Sequence, residues 1–332
     1  MRRTFGVGFF LIVLAAVGIG AAGIWFRHEV TAVRTLPARD VSVIVPRGAT
    51  GHEVARLLAE RGVIASPLAF EILARIEHEQ SDMKAGEFRF TPHLSAQDVL
   101  HAVVGGGAQI AAWVTIPEGF TDRQIARTLA EHGLGSAASF EGAFAHGSIE
   151  IDGTRTHTLE GYLFPDTYLI PTDADPARVV QIMTDAFRAK LPPDAAARAK
   201  ALGLTVPQVV TVASLVEREA KDDRERPLMA GVYYNRLRRG MPLQVDATVE
   251  YTFAHHKTVI TDADLASDSP YNTYKHAGLP PTPIANPGGP SLDAAFHPQK
   301  SDYYYYVYAG NGRSAFARTL AEHNANVARY LH

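Results

Sequence analysis

Val45-Pro46-Arg47-Gly48, followed by Thr50, Ala55-Arg56, Leu58-Ala59-Glu60 and Gly62, returns along the chain as Ile116-Pro117-Glu118-Gly119, then Thr121, Ala126-Arg127, Leu129-Ala130-Glu131 and Gly133. Each copy reads as a short β-rich strand, a Pro-x-Gly turn, a threonine cap and an amphipathic helix stopped by glycine. A strand-and-helix unit used twice predicts an α+β fold. Between the copies, Ser66-Pro67 starts a helix, Glu87 to Phe90 reads as a strand, and a further helix opens at Ser95 with Asp98 three residues on. Gly105-Gly106-Gly107 then breaks the chain; with no Lys-Ser/Thr after it, the triplet reads as a hinge and not as a phosphate loop.

Outward from the first copy, Phe5 through Phe26 form an uncharged stretch between Arg2-Arg3 and Arg27-His28. Roughly 20 such residues span a bilayer as a helix, whereas the apolar part of a cleavable signal is about 7–15 residues, so a retained anchor is predicted. Arg2 and Arg3 place the N-terminal tip in the cytoplasm and nearly the whole chain outside, although Arg27, Arg34 and Arg39 reduce that asymmetry.

At 332 residues and 46% hydrophobic, the chain is long enough for two domains with a sizeable core. A formal net charge of −3 leaves no electrostatic footprint for nucleic acid. The absence of cysteine excludes disulfides and thiolate metal sites. No His-Glu-x-x-His occurs, and His255-His256 are adjacent and would diverge, so no metal and no cofactor is expected.

In the second half, Val209-Val210-Thr211-Val212-Ala213-Ser214-Leu215-Val216 is an almost wholly apolar helical run that ends on Glu217. Thr205 and Gln208 have the spacing of a capping box, with Pro207 tolerated in the first turn. On this helix Glu217 aligns with Ser214, Ala213 and Val210, small or modest side chains that leave room for a ligand. A partly desolvated acid there suits general-acid work near neutral pH. The same carboxylate could instead reach water, or pair with Arg218, Arg224 or Arg226.

Leu159-Glu160-Gly161-Tyr162-Leu163-Phe164-Pro165-Asp166-Thr167-Tyr168 gathers an acid, aromatics and a turn, a composition suited to holding a sugar, or equally to a strand and turn with core aromatics. Gly231 to Leu237 reads as a helix ending at Gly240, and Leu243-Gln244-Val245-Asp246 as a short half-buried strand. Tyr271-Asn272-Thr273-Tyr274 precedes a Pro/Gly-rich loop from Gly278 to Pro290, of the kind that shapes a site. Tyr303 to Tyr308 is β-prone and aromatic, a core strand or a sugar platform.

Two resemblances follow from these segments. The strand-helix-helix-strand order over about residues 40 to 104 resembles a LysM-like module, a small α+β unit that binds N-acetylglucosamine-containing polymers; a spacer domain would share the order. The chain as a whole resembles the endolytic murein transglycosylases (MltG, YceG-like). The motifs that carry this are Leu159-Glu160-Gly161 with Phe164-Pro165-Asp166-Thr167-Tyr168, Ala213 to Glu219, Val232 with Asn235-Arg236-Leu237, and Leu243-Gln244 with Asp246. Tyr271 to Tyr274, Gly278-Leu279-Pro280-Pro281 and Ile284-Ala285-Asn286-Pro287-Gly288 complete them in order.

The resemblance implies a cytoplasmic tip and anchor over residues 1–30, a LysM-like domain over 31–110 and a mixed α/β catalytic domain over 111–332. It implies a lytic transglycosylase that cuts glycan strands internally, between N-acetylmuramic acid and N-acetylglucosamine, and ends nascent strand elongation. The family's catalytic glutamate falls on Glu217, acid then base. Glu160, Tyr162, Asp166, Tyr168, Ser214, Asn235, Arg236, Gln244, Asp246, Tyr271, Asn272 and Tyr274 fall on positions expected to bind substrate. Expected partners are peptidoglycan glycan strands, the cytoplasmic (inner) membrane through the Phe5–Phe26 helix, and peptidoglycan synthases, with the catalytic domain on the periplasmic or extracellular side. Many relatives carry a histidine where this chain has Ser314, two residues before Phe316, while His323-Asn324 are retained. Competing readings are a hydrolytic muramidase with Glu160 or Asp246 as second carboxylate, and a non-catalytic glycan-binding scaffold.

Overall fold

The computed structural model describes residues 2–32, 40–91, 93–253, 257, 260–310 and 312–331, with side chains from residue 13 onward; the His255-His256 pair lies outside them. The fold is mixed α+β, and its internal packing divides it into residues 1–113 with 168–173, and residues 114–167 with 174–332.

The first unit starts with α1 (Arg2–Thr31), of which Val13–Thr31 is long and apolar enough to cross a membrane. The expected Phe5–Phe26 stretch lies on this helix, though its side chains before residue 13 are outside the described residues. Val17, Ile19 and Ile24 are exposed, whereas Val30 is buried and Phe26 packs on the core of the unit. The last turns of α1 are therefore part of a folded domain.

There follow β1 (Val41–Val45), α2 (Gly51–Glu60), α3 (Pro67–Ile76), β2 (Gly86–Phe90), α4 (Ala96–Gly105) and β3 (Gln109–Thr115). The helix starts are local chemistry: Thr50 with Glu53 and Ser95 with Asp98 form capping boxes, and Ser66 caps α3 ahead of Pro67. The Gly105–Gly107 break is a C-cap, with Gly106 at φ +77°. Strands β1 and β2 run antiparallel with Val43 opposite Phe88, and the sheet order is β1-β2-β3 and then the returning strand Thr167–Pro171, β6 in chain order. Alternation puts Val43, Val45, Phe88 and Phe90 inside with Leu58, Phe70 and Leu100, while Ile44 faces out.

The second unit contains α5 (Asp122–Glu131), α6 (Ala137–His146), the small hairpin β4 (Glu150–Ile151) and β5 (Thr154–Arg155), then α7 (Pro176–Lys190), α8 (Ala195–Ala201) and α9 (Val206–Glu219). After a 3₁₀ turn at Asp223–Glu225 come α10 (Arg226–Arg238), α11 (Asp246–Glu250), α12 (Asp262–Leu265) and α13 (Gly289–Phe296). The hairpin β7 (Tyr305–Gly310) and β8 (Arg313–Ala317), covered by α14 (Leu320–Tyr330), ends the chain. Helix α9 is central, packed on both α10 and α13, with Val209 to Val216 all buried.

One expectation fails. Leu243–Asp246 is not a strand: Gln244 has φ +53°, its N–H donates to the Thr273 carbonyl, the Val245 N–H goes to Thr273 Oγ1, and Asp246 opens α11. The alternation of buried Leu243 and Val245 with exposed Gln244 is present, but a threonine loop, not a partner strand, satisfies the backbone.

Candidate active site

Thr205, Pro207 and Gln208 cap α9 as the spacing predicts, and the helix carries Glu217 in its last turn. Its side chain is only 6% exposed and its partners are polar; of the alternatives open in the sequence, water or an arginine, it meets an arginine. The Gly288 N–H donates to Glu217 Oε2 at 2.9 Å, and Arg226 Nη1 stands 3.4 Å from Glu217 Oε1. Arg226 is itself buried; its Nε donates to Asp223 Oδ1 at 2.8 Å and its Nη1 donates to Ser291 Oγ. Of the three arginines that could pair with Glu217, Arg218 goes to Glu250 and Arg224 to Asp222. A buried ion pair of this kind is costly to break from one side, by about 3–5 kcal/mol, because it leaves an uncompensated charge.

Sequence reasoning missed a second carboxyl here. Glu118, in the Pro-x-Gly turn before α5, is exposed and lies against Gly288, where an added Cβ would come 1.9 Å from Glu118 Oε1. Although the residue as a whole is exposed, the partial loss of water around its carboxyl where it meets Gly288, and next the Glu217 charge, raise its pKa from the usual carboxylate value, against the pull of Arg226. The available signal was the repeat itself, in which glutamate replaces the Arg47 of the first copy.

A cleft of about 490 Å³ opens nearby in the same unit, lined among others by Asp122, Phe144, Glu160, Arg218, Glu250 and Tyr251. Glu160 is 4% exposed. It accepts from the Asp122 N–H at 3.2 Å, Tyr251 OH at 3.1 Å and Asn286 Nδ2 at 3.1 Å. Asn286 is the organiser: its Nδ2 also reaches Asp122 Oδ1 at 3.2 Å and the Phe120 carbonyl at 3.0 Å, while its Oδ1 accepts the N–H groups of Gly161 and Leu163. Gly161, at φ +92°, allows this approach, since a Cβ there would sit 2.4 Å from Pro283. Burial and the neighbouring Asp122 push Glu160 well above the carboxylate range, and burial pushes Asp122 up to about 7. Two acids thus face one asparagine and share less than their full negative charge. Asp122 and Asn286 were not singled out from sequence; only the density of motifs around Asn286 pointed to them.

The other expected substrate positions divide. Tyr271 packs its ring behind that of the cleft residue Tyr251, with centroids 5.0 Å apart, and its hydroxyl meets Thr282 Oγ1 at 2.8 Å. Asp246 accepts from Tyr274 OH; loss of solvent, and next the Asp246 charge, raise the pKa of half-buried Glu219, which accepts from Tyr306 OH at 3.2 Å on another face of α9. Exposed Gln244 holds Arg236 through its Oε1. Several others spend their polar atoms on the fold. Ser214 donates to the Thr211 carbonyl and accepts the Ile284 N–H, so the space beside Val210 and Ala213 is closed by the 284–288 loop. Asn235 donates to the Ser301 and Tyr303 carbonyls, Arg236 to those of Tyr304, Pro242 and Leu243, and Asn272 to those of Leu265 and Ser267. Tyr162 packs edge-on against Phe187 in the core, Tyr168 is buried in β6, and Asp166 is exposed and caps its own turn at Thr167. Ser314 contributes its backbone N–H to Glu225.

The sequence model of the YceG-like family matches residues 43–329, which include both repeat copies, the 159–168 segment, α9 and the 271–290 loop. The chain belongs to the YceG-like family. Relatives of this YceG-like chain include the endolytic murein transglycosylase of Bacillus subtilis (strain 168), 32% identical over 336 residues, covering 94% of this chain and 91% of the relative. The endolytic murein transglycosylase of Streptococcus pneumoniae serotype 2 (strain D39 / NCTC 7466) is 31% identical over 360 residues, covering 97% of this chain but 64% of the relative. This chain therefore spans under two thirds of the pneumococcal protein. A crystal structure of a YceG-like protein from Listeria monocytogenes superposes with a TM-score of 0.63 at 30% identity, covering 87% of this chain and 99% of that one.

Proposed function

We propose that this YceG-like chain is a lytic murein transglycosylase that cleaves peptidoglycan glycan strands internally, between N-acetylmuramic acid and N-acetylglucosamine. The observation that carries this is a buried, arginine-paired Glu217 at the end of α9, beside a cleft, in a chain whose relatives bear that activity in their names. The reaction needs one proton delivered to the glycosidic oxygen and one taken from the muramic acid 6-hydroxyl as that oxygen attacks the anomeric carbon. A single glutamate can do both in turn, giving a 1,6-anhydro end with no water consumed. Ordinary glycosidases need two carboxylates because their nucleophile is water or the enzyme itself.

The apolar helix α1 supports membrane anchoring, with residues 1–30 as tip and anchor, 31–110 as a LysM-like glycan-binding domain and 111–332 as the catalytic domain outside the cytoplasmic membrane. Glu160, Tyr271, Asp246, Gln244 and Tyr274 are the expected residues best placed to meet a sugar. In this role the enzyme would end nascent strand elongation alongside peptidoglycan synthases. The Asp122–Glu160 pair at the cleft gives a second reading some support, a muramidase that activates water.

Mass spectrometry of products from purified glycan strands separates these readings. The full chain in detergent is the right sample, since Phe26 and Val30 belong to the core of the first unit. Anhydro-muramic ends from the wild type that vanish in a folded Glu217→Gln variant are expected. Ends bearing the mass of water would make it a hydrolase, and no cleavage by a folded sample would return it to a scaffold.

A further inference from the structure

The cleft beside α9 has a rim whose charge differs from that of its floor. Helix α5 contributes Arg123 and Arg127 to the rim, both exposed, and α6 contributes Glu141 and Phe144. One helical turn separates the two arginines, which places their Cβ atoms about 5–6 Å apart on one face. Among the described residues neither guanidinium enters an ion pair or a hydrogen bond, with Glu141 or with any other group. Arg218, the third arginine of the cleft, is held by Glu250 at 3.0 Å. The first copy of the repeat shows that the helix does not force this. At the matching positions Arg56 stands 3.5 Å from Glu60, and His52 stands 2.8 Å from Glu71. Glu131 has the same spacing from Arg127 as Glu60 has from Arg56, yet Arg127 lines the cleft unpaired. In the floor, burial and the Asp122 charge hold Glu160 up against the weaker pull of Arg123, so the acids there cancel little of the rim charge.

Two unpaired guanidinium forks side by side suit a carboxylate, which each can take through parallel N–H···O bonds. Peptidoglycan supplies that group, because the muramic acid carries on its lactyl side chain a peptide that ends in a carboxylate. We propose that Arg123 and Arg127 form a subsite for a carboxylate of this peptide, so that the protein selects peptide-bearing strands over bare ones. The proposal rests on the transglycosylase reading above and adds to it the part of the substrate that lies beyond the sugar chain. The distances allow it. A Cβ at Gly119 would meet Glu217 Cγ at 3.5 Å, so the turn before α5 touches the end of α9. Arg123 is four residues further on, no more than about 14 Å from Gly119 along the chain, and an extended peptide of about four residues covers the same length. A muramic acid with its anomeric carbon at Glu217 can therefore lay an acidic group of its peptide against the α5 rim, with Phe144 and Tyr251 as walls for the apolar parts.

The test is the rate of anhydro-end formation by the full chain in detergent, against strand concentration, on peptide-bearing strands and on the same strands stripped of peptide by an amidase. Stripping leaves a lactyl carboxylate on every muramic acid, so both substrates are anionic and only the peptide differs. Arg123→Gln and Arg127→Gln are compared with the wild type and with Lys200→Gln, which removes one exposed positive charge from α8. All three side chains are exposed, so the substitutions spare the core. Each arginine variant is expected to raise KM on peptide-bearing strands about tenfold or more, the worth of a hydrogen bond to a charged group, with kcat kept within about threefold. On stripped strands, and in Lys200→Gln on either substrate, KM should stay within about threefold of wild type. An equal rise on both substrates would mean a general attraction for anionic strands and overturns the subsite, as does a KM unmoved on both, or a wild type that is no more efficient on peptide-bearing strands than on stripped ones. Wild-type protein that makes no anhydro ends from either substrate refutes the transglycosylase reading instead. In that case equilibrium binding of the two strand types to the wild type and the arginine variants decides the subsite, with the same preference for peptide expected and its absence overturning it.

Discussion

In both copies of the repeat a Pro-x-Gly turn puts glycine in the left-handed region, Gly48 at φ +73° and Gly119 at φ +76°. A threonine then caps the helix, Thr50 with Glu53 and Thr121 with Gln124, and equivalent positions go inside: Val54, Ala55 and Leu58 in α2, Ile125, Ala126 and Leu129 in α5. Gly62 and Gly133 end the two helices at φ +74° and +75°. What differs is the turn and the first helical residue, Arg47 and Gly51 in one copy, Glu118 and Asp122 in the other. Both acids of the second copy stand among the carboxyls described above. The positions that make the fold are repeated, and two positions that the repeat does not fix are where the second copy carries its acids.

The largest effect should come from the shared part. Leu58 and Leu129 are both fully buried, so Leu58→Ala and Leu129→Ala should each cost about 2–5 kcal/mol in denaturant unfolding. A cost below about 1 kcal/mol in either copy would mean that its helix does not rely on this packing, and the equivalence would fail. Exchanging the differing residues tests the other half of the comparison. Glu118→Arg places a cation against Gly288, whose N–H holds Glu217, and should lower anhydro-end formation by about tenfold or more, whereas Arg47→Glu, on an exposed turn, should leave it unchanged. Equal losses from the two exchanges would show that the turns do not differ in role.

The comparison also shows what a sequence can disclose. The caps of α2, α4, α5 and α9 and the stops at Gly62 and Gly133 were legible because each is made by residues within four positions of one another. The apolar run Val209 to Val216 announced a central helix with an acid at its end. The surroundings of that acid were not legible. Gly288 and Arg226 reach Glu217 through tertiary packing of α9 against α10 and α13, and Glu118 arrives from the other end of the unit. For the same reason Ser214 looked like open space beside Glu217, until the Ile284 N–H filled it. Asn235, Arg236 and Asn272 have the residue types of a binding cleft, but each is used up by backbone carbonyls of irregular segments, which pattern alone does not locate.

Asp122 sharpens the contrast with Gly51 through pH. Its carboxyl is raised from 3.8 to about 7, so between those values the folded protein holds a proton that the unfolded chain has released. Stability from this group is fully present below the unfolded value and is lost as pH rises through the folded one. The slope is at most about 1.4 kcal/mol per pH unit for one proton. Asp122→Asn should flatten stability over that window, read as the denaturant midpoint against pH, while Gly51→Asn in the first copy should not change the slope. A slope that survives in Asp122→Asn would move the proton to Glu160, the other member of the pair.

The smallest expected effect separates scaffold from site within one residue type. Thr50→Ala and Thr121→Ala each remove the oxygen that accepts the third helical N–H, a loss of about 1 kcal/mol. Hydrogen exchange in the first turns of α2 and α5 should report that loss locally in both variants, whether or not the two units unfold together. Activity should respond only to Thr121→Ala. The first turn of α5 holds the Asp122 N–H on Glu160 and the Asp122 carboxyl on Asn286, whereas the first turn of α2 holds no such group. If fraying α2 slowed cleavage as much as fraying α5, the first copy would share in the reaction, and the division drawn between the two would have to be given up.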